Sequence, residues 1–165
     1  MADQSFSIRT LTENDLPVIL DVYRNCADFL ALGPVPTASA DMVRQDMALS
    51  AEIGGRFCGI FNSSDTMMGV VDFLAEGFEG NPRHAFIELL MIAQPYRSQG
   101  LGAAVVACVE AEIRRHPHVT AILSGVQVNN PAAIRFWRRM GYRIVSNAEA
   151  LPDGTTAYRL RKSLV

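Results

Sequence analysis

The stretch Tyr96-Arg97-Ser98-Gln99-Gly100-Leu101-Gly102-Ala103 carries the most chemical content in this 165-residue chain. An apolar run, Phe86-Ile87-Glu88-Leu89-Leu90-Met91-Ile92, precedes it, and an apolar-periodic segment continues from it to about Arg115. The pattern predicts a strand, a glycine turn and a helix, in that order. The first turn of a helix has unpaired N–H groups and a partial positive charge, so it holds an anion without a basic side chain. Glycines let phosphate oxygens approach the backbone. The turn therefore predicts a ligand carrying phosphate or pyrophosphate, with Arg97 at its mouth.

A Gly-x-Gly pair alone says little. With glycine at about 7% of residues, roughly one such pair arises by chance in a chain of this length. A tight connection without a ligand is the competing reading. A dinucleotide fingerprint is disfavoured, because its third glycine would fall where Val105 stands. A P-loop is excluded by the missing Gly-Lys-Ser/Thr.

Composition narrows the classes further. Hydrophobic residues make up 49%, charged residues 19%, and the net charge is −2, an ordinary soluble balance with enough chain for one core. Without a basic excess, nucleic acid is not an expected partner. No apolar run approaches the roughly 18 residues of a membrane helix, so no membrane partner is expected. The start, Met1-Ala2-Asp3-Gln4-Ser5, lacks the basic and apolar regions of a signal peptide. Cys26, Cys58 and Cys108 are odd in number and widely spaced. They form no metal pattern and no disulfide framework, and no metal is expected. Cys108 is expected to pack on the apolar face of its helix. A reduced, cytoplasmic setting fits. With no repeat or linker, residues 1–165 are expected to form a single domain.

Elements are read from periodicity. Phe6 to Leu11 alternates as a strand, and Thr12-x-x-Asp15 caps the first helix. Leu16, Ile19, Leu20, Tyr23 and Ala27 form its amphipathic stripe, broken by Leu32-Gly33-Pro34-Val35-Pro36. A second helix is expected over about Ser39 to Ala51, with Met42, Met47 and Leu49 available for burial. Arg56 to Phe61 and Met67 to Leu74 read as strands joined by a hairpin loop. Ala85 to Ile92 reads as a central strand covered on both faces. Leu101, Ala104, Val105, Cys108 and Val109 mark a third helix, and Val119 to Val128 the next strand. Asn130-Pro131 starts a helix whose stripe is Ala133, Phe136, Trp137 and Met140, with Gly141 as its left-handed end. Tyr142 to Val145 and Ala157 to Leu164 supply the last strands. The expected fold is α/β: a mixed central sheet of about seven strands with helices on both faces.

Asn130-x-x-Ala133-x-x-Phe136-Trp137-x-x-x-Gly141-Tyr142 resembles the late motif of the GNAT acyl-CoA N-acyltransferases. Arg97-x-x-Gly100-x-Gly102 resembles their Gln/Arg-x-x-Gly-x-Gly/Ala pyrophosphate loop. The spacing between the motifs and the order of elements match across nearly the whole chain. The resemblance implies acetyl-CoA as co-substrate. Its pyrophosphate would sit on amides from Ser98 through Gln99, Gly100, Leu101 and Gly102 to Ala103. The strand ending at Leu90-Met91-Ile92 would carry a bulge and splay from the strand around Val126, admitting the pantetheine arm. An N–H near Ile92 would stabilise the acyl oxygen. Asn130 would touch the arm, and Arg135 and Arg138 would either reach the 3′-phosphate or form a solvated face.

The implied reaction is direct acetyl transfer to an amine. Freeing the lone pair of an alkylamine of pKa about 10.4 near pH 7.4 costs about 4 kcal/mol, so a general base helps. Glu88 is the leading candidate, because an unpaired carboxylate in an apolar strand needs a reason. A structural ion pair is its competing reading, and Asp72 and His84 are weaker candidates. Many members place a tyrosine acid where Trp137 stands. An indole N–H donates a hydrogen bond but is no usable acid, so water, Ser124 or Tyr142 would have to take that part. Core packing is the other reading of Trp137.

The acceptor is expected opposite the cofactor, near Phe29, Leu32, Asp72, Phe78 and Glu79. No dense acidic cluster stands in the sequence, and a small amine, an amino acid or a peptide N-terminus are all open. The alternatives are a non-catalytic acyl-CoA-binding module and an O-acyl or longer-acyl transferase. Homodimers are common in such folds, and nothing in the sequence establishes one.

Overall fold

The computed structural model describes residues 5–165; the signal-peptide reading of Met1 to Gln4 lies outside the described residues. The first strand, β1 (Ser7–Thr10), ends in a capping box: the Thr12 N–H donates to Asp15 Oδ2 at 2.8 Å. Helix α1 (Leu16–Arg24) buries Ile19, Val22 and Tyr23. The stripe expected to continue to Ala27 breaks at Asn25, whose Nδ2 donates to the Asp21 carbonyl at 2.9 Å. A separate turn, α2 (Ala27–Leu30), comes next. Helix α3 (Ala40–Glu52) starts at Ser39, whose Oγ accepts from the Met42 N–H. It buries Val43 and Ser50, whereas Leu49 is 53% exposed, contrary to the expected stripe.

The remaining elements are β2 (Arg56–Phe61), β3 (Met67–Leu74), β4 (His84–Ile92), α4 (Leu101–Ile113), β5 (Ala121–Gln127), α5 (Pro131–Arg139), β6 (Arg143–Ile144), β7 (Glu149–Ala150) and β8 (Thr156–Ser163). The sheet runs β1-β2-β3-β4-β5-β8-β6, with two-residue β7 added on β8. All pairs are antiparallel except β4–β5. The architecture is the expected mixed α/β sheet; β7 is the strand that patterning misses, too short to show a period. Gly69 in β3 is required by close approach, since a Cβ there would lie 2.4 Å from the Met91 carbonyl oxygen. Among the described residues, no helix is long and apolar enough to cross a membrane.

Two cores flank the sheet. On one face, Leu101, Val105, Val106, Val109 and Ile113 of α4 and Trp137 of α5 pack on Val71, Ile87 and Ile122. On the other, Ile19, Tyr23, Cys26 and Val43 pack on Phe57, Val70 and Met91. Cys108 is exposed, which corrects its expected burial. Helix α4 is turned so that Glu110, not Cys108, faces inward. Lys162 Nζ on β8 donates to both Glu110 carboxylate oxygens, at 2.9 and 3.0 Å, and to the Met140 carbonyl at 2.8 Å. The Tyr142 hydroxyl donates to Glu110 at 3.1 Å. This buried cluster ties α4, the end of α5 and β8 together.

Removing one member of a buried ion pair leaves an uncompensated charge, at a cost of about 3–5 kcal/mol. Lys162→Ala is therefore expected to lower the urea midpoint by that much stability. A midpoint within experimental error of the unmodified protein would show that the cluster does not hold these elements together.

Candidate active site

The site begins where two strands stop pairing. Strands β4 and β5 are registered from His84↔Ala121 to Ile87↔Ser124 and no further. The Ser124 Oγ donates to the Ile87 carbonyl at 2.8 Å and closes the last rung. Beyond it, β5 remains paired only to β8 and β4 only to β3. The Ala93 N–H donates to the Met68 carbonyl at 2.8 Å, which fixes the alternation of the β3–β4 ladder. Met91 faces β3, so Leu90 and Ile92 turn their N–H groups towards the gap. The backbone of Met91, expected at the cofactor, is committed to the ladder; Leu90 and Ile92 are the strand residues that open on the gap.

Glu88 is the bulge. Asp72 is opposite Leu89 and Phe73 opposite Ile87, which leaves Glu88 without a partner. One extra residue shifts the side-chain parity of the strand. Ile87, Leu90 and Ile92 consequently share the α4 face, while Glu88 and Leu89 both line a pocket on the α3 face.

That pocket, about 320 Å³, is also lined by Asp46, Leu49, Glu52, Ile53, Asp72 and Phe78. It is acidic, because folding gathers carboxylates that are scattered in the sequence. This corrects the expectation that no acidic cluster forms. Glu88 keeps contact with solvent, yet its carboxyl is raised from its ordinary value, first by partial loss of water on the pocket side and then by the charges of Asp72, Asp46 and Asp153. Asp72 is 3% exposed. Burial, reinforced by Asp46, pushes it up to about 6, although the Ser50 Oγ donates to it at 2.6 Å. Asp46 is raised by burial too, against a 2.6 Å hydrogen bond from the Tyr23 hydroxyl. Of the other residues expected near the acceptor, Phe78 stacks on Phe86 at 3.9 Å. Glu79 is held by Arg159 at 2.7 and 2.9 Å. Phe29 packs against the α1 core, and the Leu32 carbonyl accepts from Asn129 at 3.0 Å.

The glycine turn lies on the opposite side of the gap. Ser98 and Gly100 adopt left-handed φ of 60° and 81°. This reversal brings the chain onto α4, where no side chain caps the amides of Leu101, Gly102 and Ala103. Gly102 faces Phe136, 3.5 Å from where a Cβ would be. Gln99 Nε2 donates to the Pro95 carbonyl at 3.3 Å. Arg97 points elsewhere than expected: its Nε donates to the Ile92 carbonyl at 2.7 Å and its Nη1 to Asp28 at 2.5 Å. It anchors the end of β4 to α2, with its guanidinium engaged by the Ile92 carbonyl and the Asp28 carboxylate.

Asn130 caps α5, its Oδ1 accepting from the Ala133 N–H at 3.1 Å. Trp137 is 7% exposed and packs edge-on to Phe136 and Tyr142, in line with the packing reading. Tyr142 is unsuited to donate a proton: burial and Glu110 raise its phenol far above the ordinary range, and its hydroxyl is engaged. Ser124 is equally committed. His84 stands at the far, paired end of β4, and Arg135 and Arg138 are exposed on α5.

Comparison with known proteins agrees with this geometry. A family model described as Acetyltransferase (GNAT) family matches residues 20–142. The Drosophila melanogaster protein named "Probable N-acetyltransferase san" is 29% identical over 86 residues, which are 52% of this chain and 46% of that protein. The chain thus matches about half the length of that curated relative. A crystal structure of an acetyltransferase from Thermus thermophilus superposes with a TM-score of 0.82 at 21% identity, covering 97% of both chains. The spermidine N-acetyltransferase of Vibrio cholerae, in complex with CoA and spermine, superposes with a TM-score of 0.73 at 15% identity, covering 98% of this chain and 96% of that one. These structural likenesses establish the fold.

The state of Asp72 has a measurable consequence. Its folded pKa is raised above the ordinary value of about 3.9, so its contribution is fully present below that value and is lost as pH rises through about 6. Asp72→Asn keeps an acceptor for Ser50 without the charge. The variant is expected to match the unmodified protein near pH 4 and to exceed it by up to about 3 kcal/mol above pH 7. Parallel stability curves for the two proteins would contradict this.

Proposed function

Because this chain belongs to the acetyltransferase (GNAT) family, we propose that it transfers an acetyl group from acetyl-CoA to a primary amine of a small molecule or peptide, directly, in a ternary complex. One observation carries the reading. A gap in the sheet has uncapped helix amides on one side and, on the other, an acidic pocket lined by the bulged Glu88 with its raised carboxyl.

The residues fit such a co-substrate, which supplies the acyl group as an activated thioester. Amides from Ser98 to Ala103 receive the pyrophosphate. The N–H groups of Leu90 and Ile92 face the co-substrate: one pairs with the pantetheine arm as an added strand would, and the other stabilises charge developing on the acyl oxygen. Asn130 has its Oδ1 in the cap, so its NH2 group is the part that contacts the arm. Arg97 acts indirectly, by fixing the Ile92 carbonyl and hence the end of the strand.

On the acceptor side, Glu88 accepts the proton that the amine must lose. A carboxyl raised above its ordinary value holds that proton better than an ordinary glutamate does. Asp46, Asp72 and Glu52 favour an acceptor that arrives positively charged, while Leu49, Ile53, Phe78 and Leu89 suit an alkyl or aromatic body. No acid from the core is required. Releasing a thiolate from a thiol of pKa about 8.5 near pH 7.5 costs only about 1.4 kcal/mol, and water completes the protonation. Trp137 contributes packing behind the groove. A cytoplasmic setting belongs to the same proposal, consistent with three unpaired cysteines.

Calorimetric titration with acetyl-CoA is expected to give micromolar binding, and absence of binding at millimolar ligand would overturn the reading. Amine-dependent release of free thiol should accompany turnover, with cationic amines preferred. Binding without such release would leave an acyl-CoA-binding module instead. Glu88→Gln is expected to lower turnover at least tenfold with acetyl-CoA affinity nearly intact. In the unmodified protein, the acid limb of the rate profile should lie above the ordinary glutamate range. Unchanged turnover in the variant would remove Glu88 from the mechanism.

A further inference from the structure

At the end of the sheet away from the gap, three metal-ligating side chains converge. Glu76 stands two residues beyond the end of β3 (Leu74), and His116 and His118 lie in the connection from α4 to β5. His116 Nδ1 is 3.4 Å from Glu76 Oε1, and His118 Nε2 contacts Glu76 Oε2. One donor atom from each lies within 4.8 Å of the others. The imidazoles meet edge to face, with centroids 6.0 Å apart. The side chains keep 44%, 34% and 49% of their exposure for Glu76, His116 and His118, so an ion reaches them from solvent.

The histidines are preorganised. The Val119 N–H donates to the His116 carbonyl at 3.0 Å, closing a turn around Pro117. Val119 is itself buried in the core, 5% exposed, which fixes the turn to the sheet. Two imidazoles and a carboxylate form a borderline donor set, suited to zinc and its first-row neighbours and not to calcium or magnesium. Donors bonded to a tetrahedral zinc ion sit roughly 3.4 Å apart. Small rotations of exposed side chains bring these three to that spacing.

We propose that Glu76, His116 and His118 form a surface site for a divalent transition-metal ion, zinc being the expected occupant, with one position left to water. The ion clips the loop after β3 to the α4–β5 connection, beside the rungs where β4 and β5 stay paired. His116 and His118 flank Pro117 in the sequence, but the third donor, Glu76, is 42 residues from His118, so the full set appears only in the fold. The proposal is independent of the acetyl-transfer reading. Its competing explanation is an ion pair between Glu76 and protonated imidazoles.

The test is a zinc titration of the tag-free, chelator-treated full chain, monitored through the imidazole 1H–15N resonances. The chain holds three histidines, and the third, His84, lies at the start of β4 and serves as an internal control. His116 and His118 are expected to shift and saturate at one ion per chain, with His84 unmoved. The binding should weaken at least tenfold between pH 7.5 and 5.5, because imidazole ligands must be neutral. No shift at tenfold molar excess of zinc, or equal movement of His84, would overturn the proposal. His118→Ala and Glu76→Gln are each expected to weaken zinc binding at least tenfold by calorimetry. Undiminished affinity in both would also overturn it.

Discussion

Everything at the candidate site depends on the point where the β4–β5 ladder ends. Buried backbone N–H and C=O groups are nearly always paired, and a parallel pair of strands would ordinarily continue to the ends of both. Here Ser124 bonds the Ile87 carbonyl with its side chain, and the next residue of β4 bulges. The strands then separate, and the N–H groups of Leu90 and Ile92 have no strand to meet. A fold that opens its central sheet in this way must satisfy those groups with water or with a ligand that has amide character. The gap is therefore both a local loss of pairing and a specific demand on any ligand that fills it.

The surrounding structure keeps the opening from spreading. Arg97 draws the end of β4 to α2 through the Ile92 carbonyl and Asp28. On the other side of the gap, β5 is paired to β8 along its full length, and β8 is tied through Lys162 to Glu110 on α4. The C-terminal half of α4 is thus tied to the side of the sheet that carries β5 and β8. Such a site offers positioned backbone groups, which cost nothing in reorganisation when a ligand arrives. Trp137 belongs to this framework and fills the space between α5 and the sheet.

Much of this is legible in the chain itself. Strand boundaries, the Asn130 cap and the left-handed Gly141 come from local chemistry, and local chemistry is the part a sequence displays. The resemblance implies a bulge in this strand, but its place at Glu88 and the resulting parity change are not legible, since a bulge is defined by its partner strand and leaves no period of its own. The role of Arg97 is hidden for a similar reason: its place beside the turn is local, but its partner Asp28 is 69 residues away. The inward face of α4 takes in Glu110 and leaves out Cys108, because an apolar stripe gives no hint that Lys162 will draw a carboxylate inside. The acidic pocket is invisible for the most basic reason. Asp46, Asp72 and Glu88 belong to three different elements, and only the packing of α3 against β3 and β4 makes them neighbours.

That pocket also sets a conflict which the proposed reaction resolves. Three carboxyls, Asp46 and Asp72 raised by burial and the more exposed Glu88 by partial loss of water, with Asp72 and Glu88 raised further by their neighbours, cannot all ionise cheaply in the free protein. A base must nevertheless be ionised to accept a proton. A cationic acceptor entering the pocket favours the charged form of each carboxyl and lowers its pKa. Acceptor binding and ionisation of Glu88 are then linked, so that the ligand which needs the base also prepares it. An acceptor that enters neutral gains no such help. The proposed preference for a positively charged amine thus rests on the energetics of the empty pocket as much as on attraction across it.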